Sequence, residues 1–250
     1  MDDINIKALV KKAGNKNRYQ YITLIIIFFL YGTTEFITIS LPYLETKPDV
    51  AFFDDKGIRH EVQINYTICE TYKDKYNITK KISSMVSDTE LYCDKIGTSL
   101  IGMSLFTGVM FGSLILYFFA DMWGRKKTIL IFSILYIGML LTTYFVESIY
   151  VYYVTMFFSG LFYVIIILTS CILLNEAISE DLNAIFTTII YNSFFAYGMG
   201  YGYLFSIYNW KSMFIIIAIL QLIFVTIFYS YCEESLYFYI TKNDKNMDKG

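Results

Sequence analysis

Six stretches of roughly 20 apolar residues recur along this 250-residue chain, and they limit its fold more than any other feature. They run from Tyr19 to Leu41, Ile96 to Ala120, Thr128 to Phe145, Ile149 to Leu174, Ala184 to Phe205 and Trp210 to Tyr231. Each is long enough to cross a hydrocarbon layer of about 30 Å as an α-helix. Helix is the required conformation, because a strand open to lipid leaves backbone N–H and C=O groups unpaired, and no alternating barrel pattern is present. The first stretch is too long, and the segment before it too polar, for a cleaved signal peptide. The expected fold is therefore an all-α integral membrane protein of six transmembrane helices, with a large extracellular loop at 42–95 between the first two. Tails at 1–18 and 232–250 flank the bundle.

Composition agrees with a membrane chain, being 56% hydrophobic and 17% charged. The 24 Tyr and 22 Phe are spread through every segment, tails included, so their number alone marks no binding site. A net charge of -2, with basic residues gathered at the ends of apolar runs, gives no nucleic-acid surface. One His and four Cys cannot assemble a metal cluster or a Ser/His/acid or Cys/His catalytic set, and no cofactor is implied. The lipid bilayer is the first expected partner.

Positive charge sets the orientation. Lys7, Lys11, Lys12, Lys16 and Arg18 precede the first stretch, Arg125, Lys126 and Lys127 lie between the second and third, and Lys242, Lys245 and Lys249 follow the last. The short loops of opposite parity offer only Lys211. Both termini are thus expected in the cytosol, in a plasma or other secretory-pathway membrane. The acidic connection "NEAISEDLN" runs against the rule, while a long loop is read weakly by it. The first loop bears both glycosylation sequons, Asn65-Tyr-Thr and Asn77-Ile-Thr, as an extracellular or lumenal loop would. It also holds Cys69 and Cys93, candidates for a disulfide, whereas Cys171 and Cys232 lie in or beside membrane stretches and read as small apolar side chains.

Charge gathers again in "FFADMWGRKKTIL", where the second stretch ends. Asp121 at a helix C-terminus faces the negative end of the helix dipole and needs compensation. Arg125, four residues on, can supply it, and Gly124 permits a tight reversal. The plainer alternative is a positive-inside loop with an incidental acid.

Asp121, Gly124, Arg125 and Lys126 in the loop after a second span resemble the signature of the major facilitator superfamily. The chain departs from that signature at Tyr117, where Gly is usual, and at Met122, where Arg is usual. Three further features resemble the organic cation, anion and carnitine transporter branch: the long Cys- and sequon-bearing first loop ending in "ELYCDK", Glu176 at the end of the fourth stretch, and "NWKSMF" with "EESLYF" around the sixth. Asn183 and Tyr237 stand where that branch has Arg. The resemblance implies the N-terminal half of an alternating-access transporter, built as two three-helix repeats. It also implies gating contacts on the cytosolic side among Asp121, Arg125, Glu176, Glu234 and Ser235. The tail "ITKNDKNMDKG" is similar to the start of a linker to a second six-helix half, so transport is expected to need more polypeptide or a partner chain.

An ionisable residue inside a span is costly and is by default a functional hypothesis, and Glu35 is the clear case. Tyr31, Thr34, Glu35 and Thr38 fall at i, i+3, i+4 and i+7, a polar stripe able to line a cavity that attracts an organic cation. Alternatively Glu35 faces water or a neighbouring helix near the outer end. Thr155, Ser159 and Tyr163 on the fourth stretch, and Thr188, Tyr191 and Asn192 on the fifth, read first as packing positions, with Asn192 also a cavity candidate. "YGMGYGYLF" follows no strand and lacks a phosphate-binding Lys, so close helix contact or a kink is the better reading of its glycines. The expected function is carriage of a small organic solute, an organic ion by this resemblance. The alternatives are a sugar-porter-like carrier and a six-helix protein whose outer loop binds a partner.

Overall fold

The computed structural model describes residues 18–53, 59–72, 76–80, 83–178 and 180–235. The tail lysines before Arg18 and after Ser235, Tyr237, and the side chains of Tyr117 and Asn77 lie outside what is described. Six long helices account for most of the chain: α1 (Arg18–Leu44), α4 (Lys95–Trp123), α5 (Arg125–Phe145), α6 (Ile149–Ala177), α7 (Glu180–Ile207) and α8 (Trp210–Tyr231). Among the described residues, five of these, all but α7, are both long and apolar enough to cross a membrane. The expected count of six is reached in helices but not in hydropathy. Thr, Asn, Ser and Gly along α7 dilute its apolar character.

The first loop is more ordered than an all-helical reading expects. It folds as strands β1 (Asp49–Phe53), β2 (Arg59–Gln63) and β3 (Tyr76–Lys80), the short helices α2 (Tyr66–Tyr72) and α3 (Met85–Asp88), and a 3-10 turn at Leu91–Cys93. The strand order is β2-β1-β3, antiparallel throughout, with Val50 opposite Val62 and Ile78. Val50, Ile64 and Ile68 form a small core of their own. Cys69 and Cys93 are joined as a disulfide across 24 residues, which ties α2 to the 3-10 turn. Asn65 caps α2 through its side-chain oxygen, which accepts from the Ile68 amide at 2.9 Å.

In the bundle α6 is the hub, packing most extensively on α4 and then on α5 and α1. The α4–α6 crossing is close because glycines remove the side chains that would hold the helices apart. A Cβ on Gly108 would stand 1.9 Å from the Phe157 carbonyl oxygen, and one on Gly160 would stand 2.2 Å from that of Leu105. The glycines of "YGMGYGYLF" serve differently: Gly198 and Gly200 have no neighbour within 4 Å, and only Gly202 meets another helix, at the Tyr43 hydroxyl. Helix α7 leans mainly on α1.

The two ends of the bundle are chemically distinct. At the end carrying the sheet, the Trp210 indole donates to Asp88 at 2.9 Å, Lys211 pairs with Glu147, and Tyr152 meets Trp210 edge-on. Lys211 holds the Glu147 carboxyl below the usual carboxylate range. At the opposite end lie Gly124, Glu176 and the segment after α8, whose Glu233 amide donates to the Tyr19 hydroxyl at 3.0 Å. Connections thus alternate between ends, as a chain crossing back and forth requires.

Candidate functional site

The charged cluster begins with the turn. α4 stops at Trp123 and α5 starts at Arg125, leaving only Gly124 to reverse the chain, at φ 93°, a conformation an L side chain resists. That reversal places Arg125, only 7% exposed, beneath the end of α4. Its guanidinium lies 3.2 Å from Asp121 and 3.3 Å from Glu176 on α6, and donates to the Ala120 carbonyl at 3.2 Å. The cation thereby offsets the Asp121 carboxylate at the negative end of α4, and the free carbonyl beside it.

Glu234 completes the cluster from beyond α8. Its carboxylate accepts the Arg125 amide at 2.8 Å and the Lys126 amide at 3.1 and 3.2 Å. These are orphan donors of the first turn of α5, where the helix dipole favours an anion. Ser235 is buried, and its amide also donates to Glu234. Lys126 lies over the Tyr229 ring, 4.6 Å from its centroid. One turn thus fastens α4 and α5 to α6 through the Arg125 side chain and to the end of α8 through its backbone. Asn183 takes no part; it accepts from Thr187 on its own helix at 3.1 Å.

The second cluster lies inside the bundle. Glu35 is 3% exposed, and the Tyr163 hydroxyl of α6 donates to its two oxygens at 3.2 and 3.1 Å. The Tyr31 hydroxyl also faces it, and Tyr136, Tyr201 and Cys171 stand around. No Lys or Arg among the described residues pairs with it. Phenols supply hydrogen bonds to a carboxylate but no positive charge, so a cation or a proton has to do so.

The other cavity candidates divide among different surroundings. Thr34 is fully buried and turned away, donating to the Leu30 carbonyl at 2.7 Å and meeting Gln221 of α8 at 3.2 Å. The expectation that it lines a cavity beside Glu35 is therefore corrected. At 100° per residue the stripe is broad, and Thr34 and Glu35 sit at its opposite edges. Thr38 borders a groove of about 590 Å³ between α1 and α7, with Tyr43, Phe194 and Tyr203. Asn192 is exposed, donates to the Thr188 carbonyl at 2.8 Å, and lines an open cleft of about 710 Å³ between α6 and α7. Asn175, Asn183, Thr187, Thr188 and Tyr191 share that cleft, so its polar lining is uncharged. Tyr163, read from the sequence as packing, is a hydrogen-bond partner of Glu35 from another helix, while Tyr136 carries no sequence signal of a site and Gln221 none beyond being a lone amide within the apolar run of α8.

Residues 59–249, well over half of the chain, match the sugar (and other) transporter family. The chain belongs to that family. As a major facilitator-type transporter, it is a multi-pass membrane protein by the length and hydropathy of its helices. No curated protein matches it. The family match includes both the Gly124 turn and Glu234 but begins after α1, so Glu35 lies outside it.

Proposed function

We propose that the chain forms one six-helix half of an alternating-access carrier for small organic ions, with a second half supplied by further polypeptide or by another chain. The observation that carries this is Glu35, a carboxylate sealed in the bundle among tyrosines and without a basic partner among the described residues. Such a group attracts an organic cation through its charge while the surrounding rings favour the cation's apolar surface. The cluster of Asp121, Arg125, Glu176 and Glu234 acts as the latch on the cytosolic face, closing four helix ends in one state and releasing them in the other. Both termini then lie in the cytosol, the sheet domain faces outward, and Asn65 and Asn77 carry glycans.

A second reading, a sugar-porter-like carrier, is favoured by the family match and by the uncharged α6–α7 cleft, whose amides and hydroxyls suit a polyhydroxylated solute. Uptake of labelled tetraethylammonium and of labelled glucose into vesicles containing the whole natural gene product separates the two. The organic-ion reading expects cation uptake that falls at least tenfold in Glu35→Gln and in Asp121→Asn. Glucose uptake indifferent to Glu35→Gln selects the sugar reading. Uptake of neither solute moves the outer loop, as a partner-binding surface, to the front.

A further inference from the structure

Helix α1 is gripped on several sides at the level of Glu35. From α8, the Gln221 amide oxygen accepts from Thr33, while its nitrogen donates to Thr34 at 3.2 Å and reaches Ser133 of α5 at 3.5 Å. From α5, the Tyr136 hydroxyl donates to the Thr34 carbonyl at 3.1 Å. From α7, Tyr201 and Tyr197 donate to the carbonyls of Gly32 and Phe28 at 2.8 and 3.0 Å. Gln221, Thr34, Ser133 and Tyr136 are all wholly buried.

Adhesion alone does not require an amide at position 221, since a Leu there would pack against α1 without needing partners. What the amide adds is direction, because its donor and acceptor ends must meet particular oxygens. Residues 33, 34 and 35 follow one another at 100° around the helix, so fixing Thr33 and Thr34 fixes the bearing of Glu35. A rotation of about 30° swings a carboxylate roughly 6 Å from the helix axis by about 3 Å, enough to break its bonds to Tyr163.

We infer that Gln221 is a positioning residue, which sets the rotation of α1 about its axis and thereby aims Glu35 at Tyr163. Its importance rests on the reading of Glu35 as the functional carboxylate, but the positioning itself can be measured without a substrate. Gln221 and Tyr163 share no hydrogen bond, on helices α8 and α6, and substitutions at independent sites add. The whole chain, purified in detergent, is melted as wild type, Tyr163→Phe, Gln221→Met and the double variant. If Gln221 aims Glu35, Tyr163→Phe lowers the melting temperature in the wild-type background and by less than a third as much beside Gln221→Met. A role confined to general packing leaves the two effects additive, and additivity overturns the inference. Should Gln221→Met fail to accumulate, Thr33→Val breaks the same grip from the α1 side, and the same loss of coupling is expected. The cycle and the uptake experiment fail independently, because the cycle reads a contact and involves no solute.

Discussion

Arg125 bears more of the charged cluster than its carboxylate neighbours do, and burial is the reason. Its side chain is 9% exposed, against 22% for Glu176 and 49% for Asp121. Removing a buried cation strands the carboxylate it faces, whereas an exposed acid is screened by water. Arg125→Ala is therefore expected to destabilise the chain by about 3 kcal/mol, and Asp121→Asn by under about 1 kcal/mol. Glu234→Gln, which keeps an acceptor but loses the charge at the α5 N-terminus, should fall near 1 kcal/mol. Thermal unfolding of the purified variants checks the order, and an Asp121→Asn cost equal to that of Arg125→Ala would contradict the burial argument. The Asp121–Arg125 pair is legible from spacing because i,i+4 neighbours meet on any helix. Glu234 reaches backbone amides, which no side-chain pattern announces, and Gln221 belongs to no polar stripe, its i±3 and i±4 neighbours Ile217, Ala218, Phe224 and Val225 all being apolar.

At the scale of elements, each of the six apolar stretches falls within one long helix, only five of these helices are apolar enough among the described residues to cross a membrane, and the differences lie chiefly at the ends. α4 runs on to Trp123 and α7 begins at Glu180 rather than Ala184, because a helix continues into the interface after its apolar run has stopped. The three strands of the first loop are not legible in hydropathy, since five-residue segments vanish in a window of about 20. Helix contacts were only partly legible. The triple-glycine run of α7 is conspicuous in sequence, yet the tight crossing is made by Gly108 and Gly160, which are not. The consequence is testable with one substitution at two glycines. Gly108→Leu must push α4 off the Phe157 carbonyl and is expected to abolish accumulation of folded protein, an overpacking cost of at least about 3 kcal/mol. Gly138→Leu on α5, with no neighbour within 4 Å, should leave accumulation and melting unchanged. Equal expression of the two variants in membranes would show that α4 and α6 do not need to touch.

For the molecule as a whole, the tail end of the bundle is bound by charge and the sheet end by a different device. There the sheet domain has its own small core and disulfide, and the segment that follows it meets α8 where Trp210 donates to Asp88. The Trp210 ring is packed independently against Tyr152 and Phe214, with centroids 5.8 and 5.7 Å away, so its ring and its N–H perform separable tasks. Trp210→Phe retains an aromatic ring but removes the donor of a hydrogen bond to an exposed carboxylate, which contributes about 1 kcal/mol. If that bond is the tie between the domains, amide hydrogen exchange should accelerate several-fold in residues 83–94, next to Asp88, while the α6 core keeps its protection. Asp88→Asn, which keeps an acceptor, should show a smaller acceleration in the same segment. Faster exchange in α6 as well would mean that Trp210 supports the bundle rather than the join. Exchange unchanged in 83–94 would mean that apolar packing, of the Trp210 ring and of Met85 and Val86 in the bundle core, holds the segment in place without that bond. The distinction bears on transport, because a sheet domain tied to α8 moves with that helix, while one joined only through α1 and α4 does not.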